Sequence, residues 1–151
     1  MSPWLKRCLK NAALVAGLIC VTQLVGCNKR PEMAQVRGKV TYMDGSIPHG
    51  GACVVRFEPA KDSTAQIRKG ASGIIKPDGT FEAYTRIPGD GVYLGDYGVT
   101  FAVWSNATDP GSSIIDPKYT SAATSGYKVT VDKDLENLEF KIEPLPGAAK
   151  K

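Results

Sequence analysis

Histidine is almost missing from this sequence, because His49 is the only one among 151 residues. Zinc sites rich in histidine are therefore excluded, and a serine–histidine–aspartate triad would depend on a residue in a Pro-Gly turn. Cys53 lies four residues further on, but an exposed turn histidine near a buried thiol is favoured over a nucleophilic pair. We predict that the protein is not an enzyme.

Cysteine is scarce as well, and three of the four cysteines lie at or before position 27. Only Cys53 follows, so no disulfide can form within the rest of the chain. The alternation of residues around it turns Cys53 inward with Val55 and Phe57. A small buried hydrophobe is therefore favoured over a partner for an intermolecular disulfide.

The chain also lacks an apolar run of the roughly 20 residues that a transmembrane helix requires. The apolar run Ala12–Val21 is much shorter than that. It follows the cations Lys6, Arg7 and Lys10, and a positive segment before an apolar one is typical of a secretory signal peptide. We predict a signal peptide here and not a membrane-spanning anchor.

The signal ends in Leu24, Val25, Gly26 and Cys27, which resemble the lipobox that bacterial signal peptidase II cleaves. In that chemistry the Cys27 thiol receives a diacylglyceryl group, the peptide is cut before it, and the freed amine is acylated. We therefore predict a lipoprotein signal peptide at 1–26 and lipid attachment at Cys27, with no cofactor besides this lipid. The alternative is an ordinary cleaved signal with a chance cysteine.

Little chain separates this cysteine from the first predicted strand. Residues 27–33 form the lipidated cysteine and a short tether, which spans at most about 20 Å. The domain should therefore lie close to the membrane, with Lys29 and Arg30 near anionic head groups. Asn28 stands where the common inner-membrane retention signal has Asp, which favours the outer membrane of the cell envelope.

Charge of one sign is not in excess once the signal is removed. The chain has 19 Lys and Arg against 15 Asp and Glu, and three of the cations lie in the signal. A nearly neutral chain of about 125 residues remains, which fits one domain. Such a surface has no electrostatic footprint for nucleic acid, so we exclude that partner.

From residue 34 onward, apolar and polar residues alternate with the period of a β-strand. Turn residues separate seven such segments, at 36–43, 52–57, 71–75, 80–85, 97–103, 127–131 and 138–143. No amphipathic helix follows the signal. We predict an all-β domain at 34–143, a seven-stranded antiparallel immunoglobulin-like β-sandwich, with a frayed tail at 144–151.

The turns and strand starts also come in a particular order. They are Gly38, Lys39, Val40; Asp44, Gly45, Pro48, Gly50, Gly51, Ala52; Pro77, Asp78, Gly79, Thr80, Phe81; and Gly95, Asp96, Tyr97, Gly98, Val99, Thr100. This order resembles the carboxypeptidase regulatory-like, transthyretin-like family. Three further features are similar to planctomycete-type envelope lipoproteins that carry this domain. They are the lipobox, the segment Asp116, Pro117, Lys118, Tyr119, and the residues Thr124, Ser125, Gly126 that lead into a strand.

The resemblance implies a seven-stranded sandwich that acts as an accessory or binding module without an active site. It carries structural roles only: turns at Gly45 and Gly79, and core positions at Phe81 and Tyr97. It transfers no ligand-binding residue, because fold similarity supports function weakly.

The connection at 105–126 is longer than ordinary loops, and such loops are usually functional or disordered. Trp104 at its base and Tyr119 within it could offer stacking faces to a carbohydrate or another small ligand. The alternative, which we prefer, is a minor core beneath the loop. Burial of Trp104 and Tyr119 would favour this alternative over a binding surface.

Three carboxylates, Asp132, Asp134 and Glu136, cluster in the turn before the last predicted strand. Carboxylate oxygens are ligands for calcium, which makes this turn a candidate site. The turn lacks the glycine and the ligand spacing of an EF-hand, and acidic turns are usually solvated. We therefore expect no metal there.

These observations predict a membrane-anchored cell-envelope lipoprotein whose β-sandwich is a non-catalytic structural or protein-interaction module. Its partners would be the membrane, through the lipid, and envelope proteins or glycans. The alternative is a small-ligand or carbohydrate-binding module that uses Trp104 and the 105–126 loop surface.

Overall fold

The computed structural model of the chain describes residues 32–63 and 65–147, and this part of the chain is all-β. It forms nine strands: β1 Met33–Ala34, β2 Val36–Tyr42, β3 Ala52–Pro59, β4 Ala71–Ile74, β5 Thr80–Ala83, β6 Val92–Tyr93, β7 Gly95–Trp104, β8 Lys128–Val131 and β9 Leu135–Ile142. Two single turns of 3₁₀ helix, Pro110–Ser112 and Pro117–Thr120, complete it, and the described residues contain no α-helix. The prediction of an all-β domain is confirmed.

The predicted strands and the observed ones differ in number. Each of the seven predicted segments overlaps one of β2, β3, β4, β5, β7, β8 and β9. The strands β1 and β6 were not predicted, because two residues are too short to show a period. The predicted signal peptide at 1–26, Cys27 and residues 148–151 of the predicted tail lie outside the described residues. The start of that tail is not frayed, because Pro144 forms a bridge with Ile115 and Leu145 bonds to Ile114.

The strands form three sheets, with the orders β5-β2-β9, β4-β3-β7-β8 and β1-β6. Five of the strand pairs are antiparallel, but β2 and β9 run parallel. The prediction of a wholly antiparallel arrangement is therefore wrong for this pair. The reason is that both strands begin at the same end of the domain, where the Leu135 amide donates to the Gln35 carbonyl at 2.8 Å.

The three-stranded and four-stranded sheets share one core. Phe57 on β3 packs against Phe81 on β5, with ring centroids 6.1 Å apart, and Phe101 on β7 packs against Phe140 on β9 at 5.5 Å. Most inward residues of both sheets are at most a few per cent exposed, and Cys53, Val129 and Leu138 pack against them partly buried. Burial of this apolar surface is the main force that holds the sheets together.

The structural roles implied by the family resemblance are confirmed at four positions. Gly45 and Gly79 both have a φ of 84°, a conformation that glycine adopts without steric cost. Phe81 and Tyr97 are 2% and 1% exposed, so both belong to the core.

Candidate functional site

The long connection after β7 is not a loose loop. Within it the Ile114 amide donates to the Val103 carbonyl at 3.0 Å, which extends the edge of β7. On the other side of the same segment, the Leu145 amide donates to the Ile114 carbonyl at 2.8 Å. Ile115 is fully buried between these contacts. The segment 113–116 therefore joins β7 to the chain that follows β9.

Tyr119 lies in the core and not on a binding surface. The Asp116 carboxylate accepts a hydrogen bond from the Lys118 amide at 2.9 Å and starts the 3₁₀ turn that carries Tyr119. Its side chain is 3% exposed, and its ring packs 6.2 Å from Phe101 and 6.3 Å from Tyr127. A stacking surface made of both Trp104 and Tyr119 is therefore absent, and the preferred core placement holds for Tyr119.

Trp104 is half-buried and lines a cavity of about 320 Å³ beneath the connection. The Arg56 guanidinium carbon lies 6.0 Å from the centroid of its ring, within range of a cation–π contact. Ser113 also lines this cavity, and its buried hydroxyl has no hydrogen-bond partner among the described residues. Buried hydroxyls are normally paired, and an ordered water is the usual partner where no protein group reaches one.

Cys53 and His49 line a second cavity of about 380 Å³ at the start of β3. The Cys53 side chain points toward the core as predicted, but it is half-buried and not fully buried, with its sulfur 3.7 Å from the Pro48 carbonyl oxygen. Burial raises the pKa of the Cys53 thiol. His49 is exposed. A raised pKa opposes formation of the thiolate that a nucleophile requires.

The acidic residues before β9 do not converge on a common point. The Asp134 carboxylate accepts from the Gln35 amide at 2.8 Å, the Glu136 carboxylate pairs with Arg37 at 2.9 Å, and Asp132 is exposed. No group of three or more His, Cys, Asp or Glu side chains within 32–63 and 65–147 is arranged to hold a metal ion. The calcium hypothesis therefore has no support from the structure.

A well-ordered loop lies at the end of the domain where the chain enters, and sequence reasoning missed it. This loop, residues 84–91, connects β5 to β6 and is called the Ile87 loop below. The Asp90 carboxylate accepts hydrogen bonds from the amides of Thr85, Arg86 and Ile87, at 2.8, 3.0 and 3.3 Å. The Asp-Gly and Pro-Gly pairs in this segment were visible turn signals, but they do not show which way Ile87 points.

Asp90 gives the Ile87 loop a pH-dependent stability. Burial raises the pKa of this carboxyl, but hydrogen bonds from the three backbone amides outweigh burial and leave its pKa lowered. A lowered folded pKa adds stability above the unfolded value of about 3.9, and this stability is lost as the pH falls through the folded pKa.

We expect Asp90→Asn to lower the free energy of unfolding by about 1–3 kcal/mol at pH 7, because one oxygen acceptor becomes an amide donor. Urea unfolding at several pH values measures this, and the difference from the unsubstituted protein should shrink below a pH of about 4. Asp62→Asn, at an exposed position, is the control and should change little. A loss that is equal at pH 3 and pH 7 would contradict the role of the carboxylate.

Comparisons with known proteins give no further guide to the site. No family model matches the chain, and no curated protein or solved structure matches it either. In the described part of the chain, no helix is long and apolar enough to cross a bilayer.

Proposed function

We propose that this chain is a cell-envelope lipoprotein, held at the outer membrane by lipid on Cys27, whose β domain is a non-catalytic structural or protein-interaction module. The observation that carries the proposal is the order of the N-terminal sequence: cations, a short apolar run and then Leu24–Cys27. The strand β1 begins at Met33, only six residues after Cys27. A lipid on Cys27 would therefore keep the domain next to the bilayer.

We further propose that the domain is a sandwich of the transthyretin-like kind. The seven strands expected for that family overlap seven observed strands, and the two larger sheets contact each other through a shared aromatic core. In such modules the sheets serve as a scaffold, and the loops and sheet edges contact partners.

Mass spectrometry of the protein from isolated membranes tests the anchor. The expected mass is that of a chain that starts at Cys27 and carries three acyl chains. Separation of the two membranes should place this species in the outer-membrane fraction. A soluble chain with residues 1–26 intact, or an unmodified Cys27, would refute the proposal.

A second candidate function is small-ligand or carbohydrate binding in the cavity beside Trp104. The specific observation is that the half-buried Trp104 side chain and the exposed Arg56 line one cavity, with Ser113 in its wall. An aromatic face and a cation are the kinds of groups that hold a polar ligand in an otherwise apolar pocket.

Fluorescence measures this binding directly, because Trp104 is the only tryptophan outside the signal peptide. We expect soluble oligosaccharides of the cell envelope to change its emission, and Arg56→Gln to weaken binding roughly tenfold through loss of one hydrogen bond from a charged group. Ser121→Ala, outside the cavity, should bind like the unsubstituted protein. If no oligosaccharide changes the emission, carbohydrate binding at this cavity is refuted.

A further inference from the structure

The Ile87 loop lies next to the residues that connect the domain to Cys27. The strand β6, which follows this loop, pairs with β1, so that Ala34 stands opposite Val92. The Gln35 side-chain amide also donates to the Gly89 carbonyl in the loop at 3.1 Å. The loop and the point where the tether enters therefore share one end of the domain.

Ile87 is, with Met43 and Ile74, one of three large hydrophobic side chains that are exposed in the described part of the chain, at 65%. The loop that carries it is fixed by the three hydrogen bonds to Asp90 and by the contact with Gln35. Its neighbour Arg86 is also exposed and lies 3.6 Å from the Asp90 carboxylate. This hydrogen-bonded loop therefore exposes an isoleucine and an arginine at consecutive positions, a pair of residues that suits an interface between hydrocarbon and anionic head groups.

The length of the tether brings this loop within reach of a membrane. The six residues from Cys27 to Met33 span at most about 20 Å. Met43, another exposed hydrophobic residue at 55%, directly follows β2 and lies seven residues beyond Val36. Seven residues of strand correspond to about 23 Å, so Met43 is at the opposite end of the domain.

We propose that Ile87 is a second membrane contact, which inserts into the interfacial region of the anionic bilayer that holds the lipid of Cys27, with Arg86 at the head groups. This inference rests on the proposed lipid anchor. It goes beyond that anchor because it gives the domain one orientation: the Ile87 loop faces the membrane, and the end of β7 with the Trp104 cavity faces away.

Tryptophan placed at the two ends of the domain tests the orientation. Ile87→Trp and Met43→Trp are each made in a Trp104→Phe background, so that the new residue is the only tryptophan in the mature protein. The acylated proteins are incorporated into vesicles of phosphatidylethanolamine and phosphatidylglycerol, with or without brominated acyl chains. We expect the emission of the Ile87→Trp protein to shift to shorter wavelength and to be quenched by brominated lipid, and that of the Met43→Trp protein to do neither.

Each other outcome overturns the proposal. Absence of quenching at position 87 shows that the loop does not enter the bilayer, and equal quenching at both positions shows that the domain has no fixed orientation. A blue shift at position 87 without quenching shows that the side chain is covered by the domain itself or by a second copy of the chain, and not by lipid. If Trp104→Phe unfolds the domain, Ile87→Trp and Met43→Trp are made in the protein that retains Trp104. The emission of Trp104 alone is then subtracted from that of each variant.

Failure of this inference can be separated from failure of the lipid anchor. The acyl mass on Cys27 is determined for every sample before vesicles are prepared. A sample without that mass refutes the anchor, whereas an acylated sample without quenching at position 87 refutes only the loop contact.

Discussion

Cys27→Ser is expected to leave a full-length precursor that carries no palmitate. Signal peptidase II acts only on a cysteine that already bears diacylglycerol, and a serine hydroxyl does not receive this group. The precursor should therefore keep residues 1–26 and run as a larger species on a gel. Metabolic labelling with palmitate and an immunoblot of cell fractions measure both effects.

Cys53→Ser is the matched control for this experiment. This substitution removes the one cysteine after position 27. The Cys53 side chain packs against the core of the β domain, far along the chain from the predicted cleavage motif. Labelling and processing should be unchanged in this variant. If labelling persists in Cys27→Ser and disappears in Cys53→Ser, the lipid is attached to Cys53, and the proposed attachment at Cys27 is wrong.

Phe57→Ala is expected to lower the free energy of unfolding by about 3–5 kcal/mol, a large part of the total for a domain of this size. The Phe57 side chain is fully buried between the two larger sheets. Its ring centroid lies 6.1, 6.4 and 6.5 Å from those of Phe81, Tyr97 and Phe140. Alanine would leave a cavity at the place where both sheets meet, and the rigid strands can fill it only in part.

Urea unfolding of the full chain in mild detergent measures this loss. Ile74→Ala, at a position that is 63% exposed, is the control and should stay within about 0.5 kcal/mol of the unsubstituted protein. Equal stability of the two variants would mean that the aromatic cluster does not hold the sheets together.

The strands could be predicted from the sequence because large apolar residues recur at every second position along them. Along β7, Tyr97, Val99, Phe101 and Val103 all face the core, as their spacing indicates. The pairing of β9 could not be predicted in the same way. A short turn between β8 and β9 indicates a hairpin, yet β9 joins the other sheet beside β2, since turn length does not decide which sheet receives a strand.

The candidate sites were harder to predict, because they depend on contacts between distant parts of the chain. The sequence favours the core for Tyr119 but leaves a binding surface open, although Asp116 followed by Pro117 is a signal for the short helical turn that buries it. The unpaired Ser113 hydroxyl has no signal in the sequence at all. It arises only because the segment 113–116 is held between β7 and the chain after β9.

The attachment of the segment 113–116 on both sides also affects the rate at which a molecule could bind in the cavity beside Trp104. Because the amide of Ile114 is engaged on one side and its carbonyl on the other, the wall that contains Ser113 is already in place before any encounter. Association would then require no prior folding of the wall and would be limited by diffusion and docking orientation, so differences in affinity among visiting molecules should appear mainly in how long they stay.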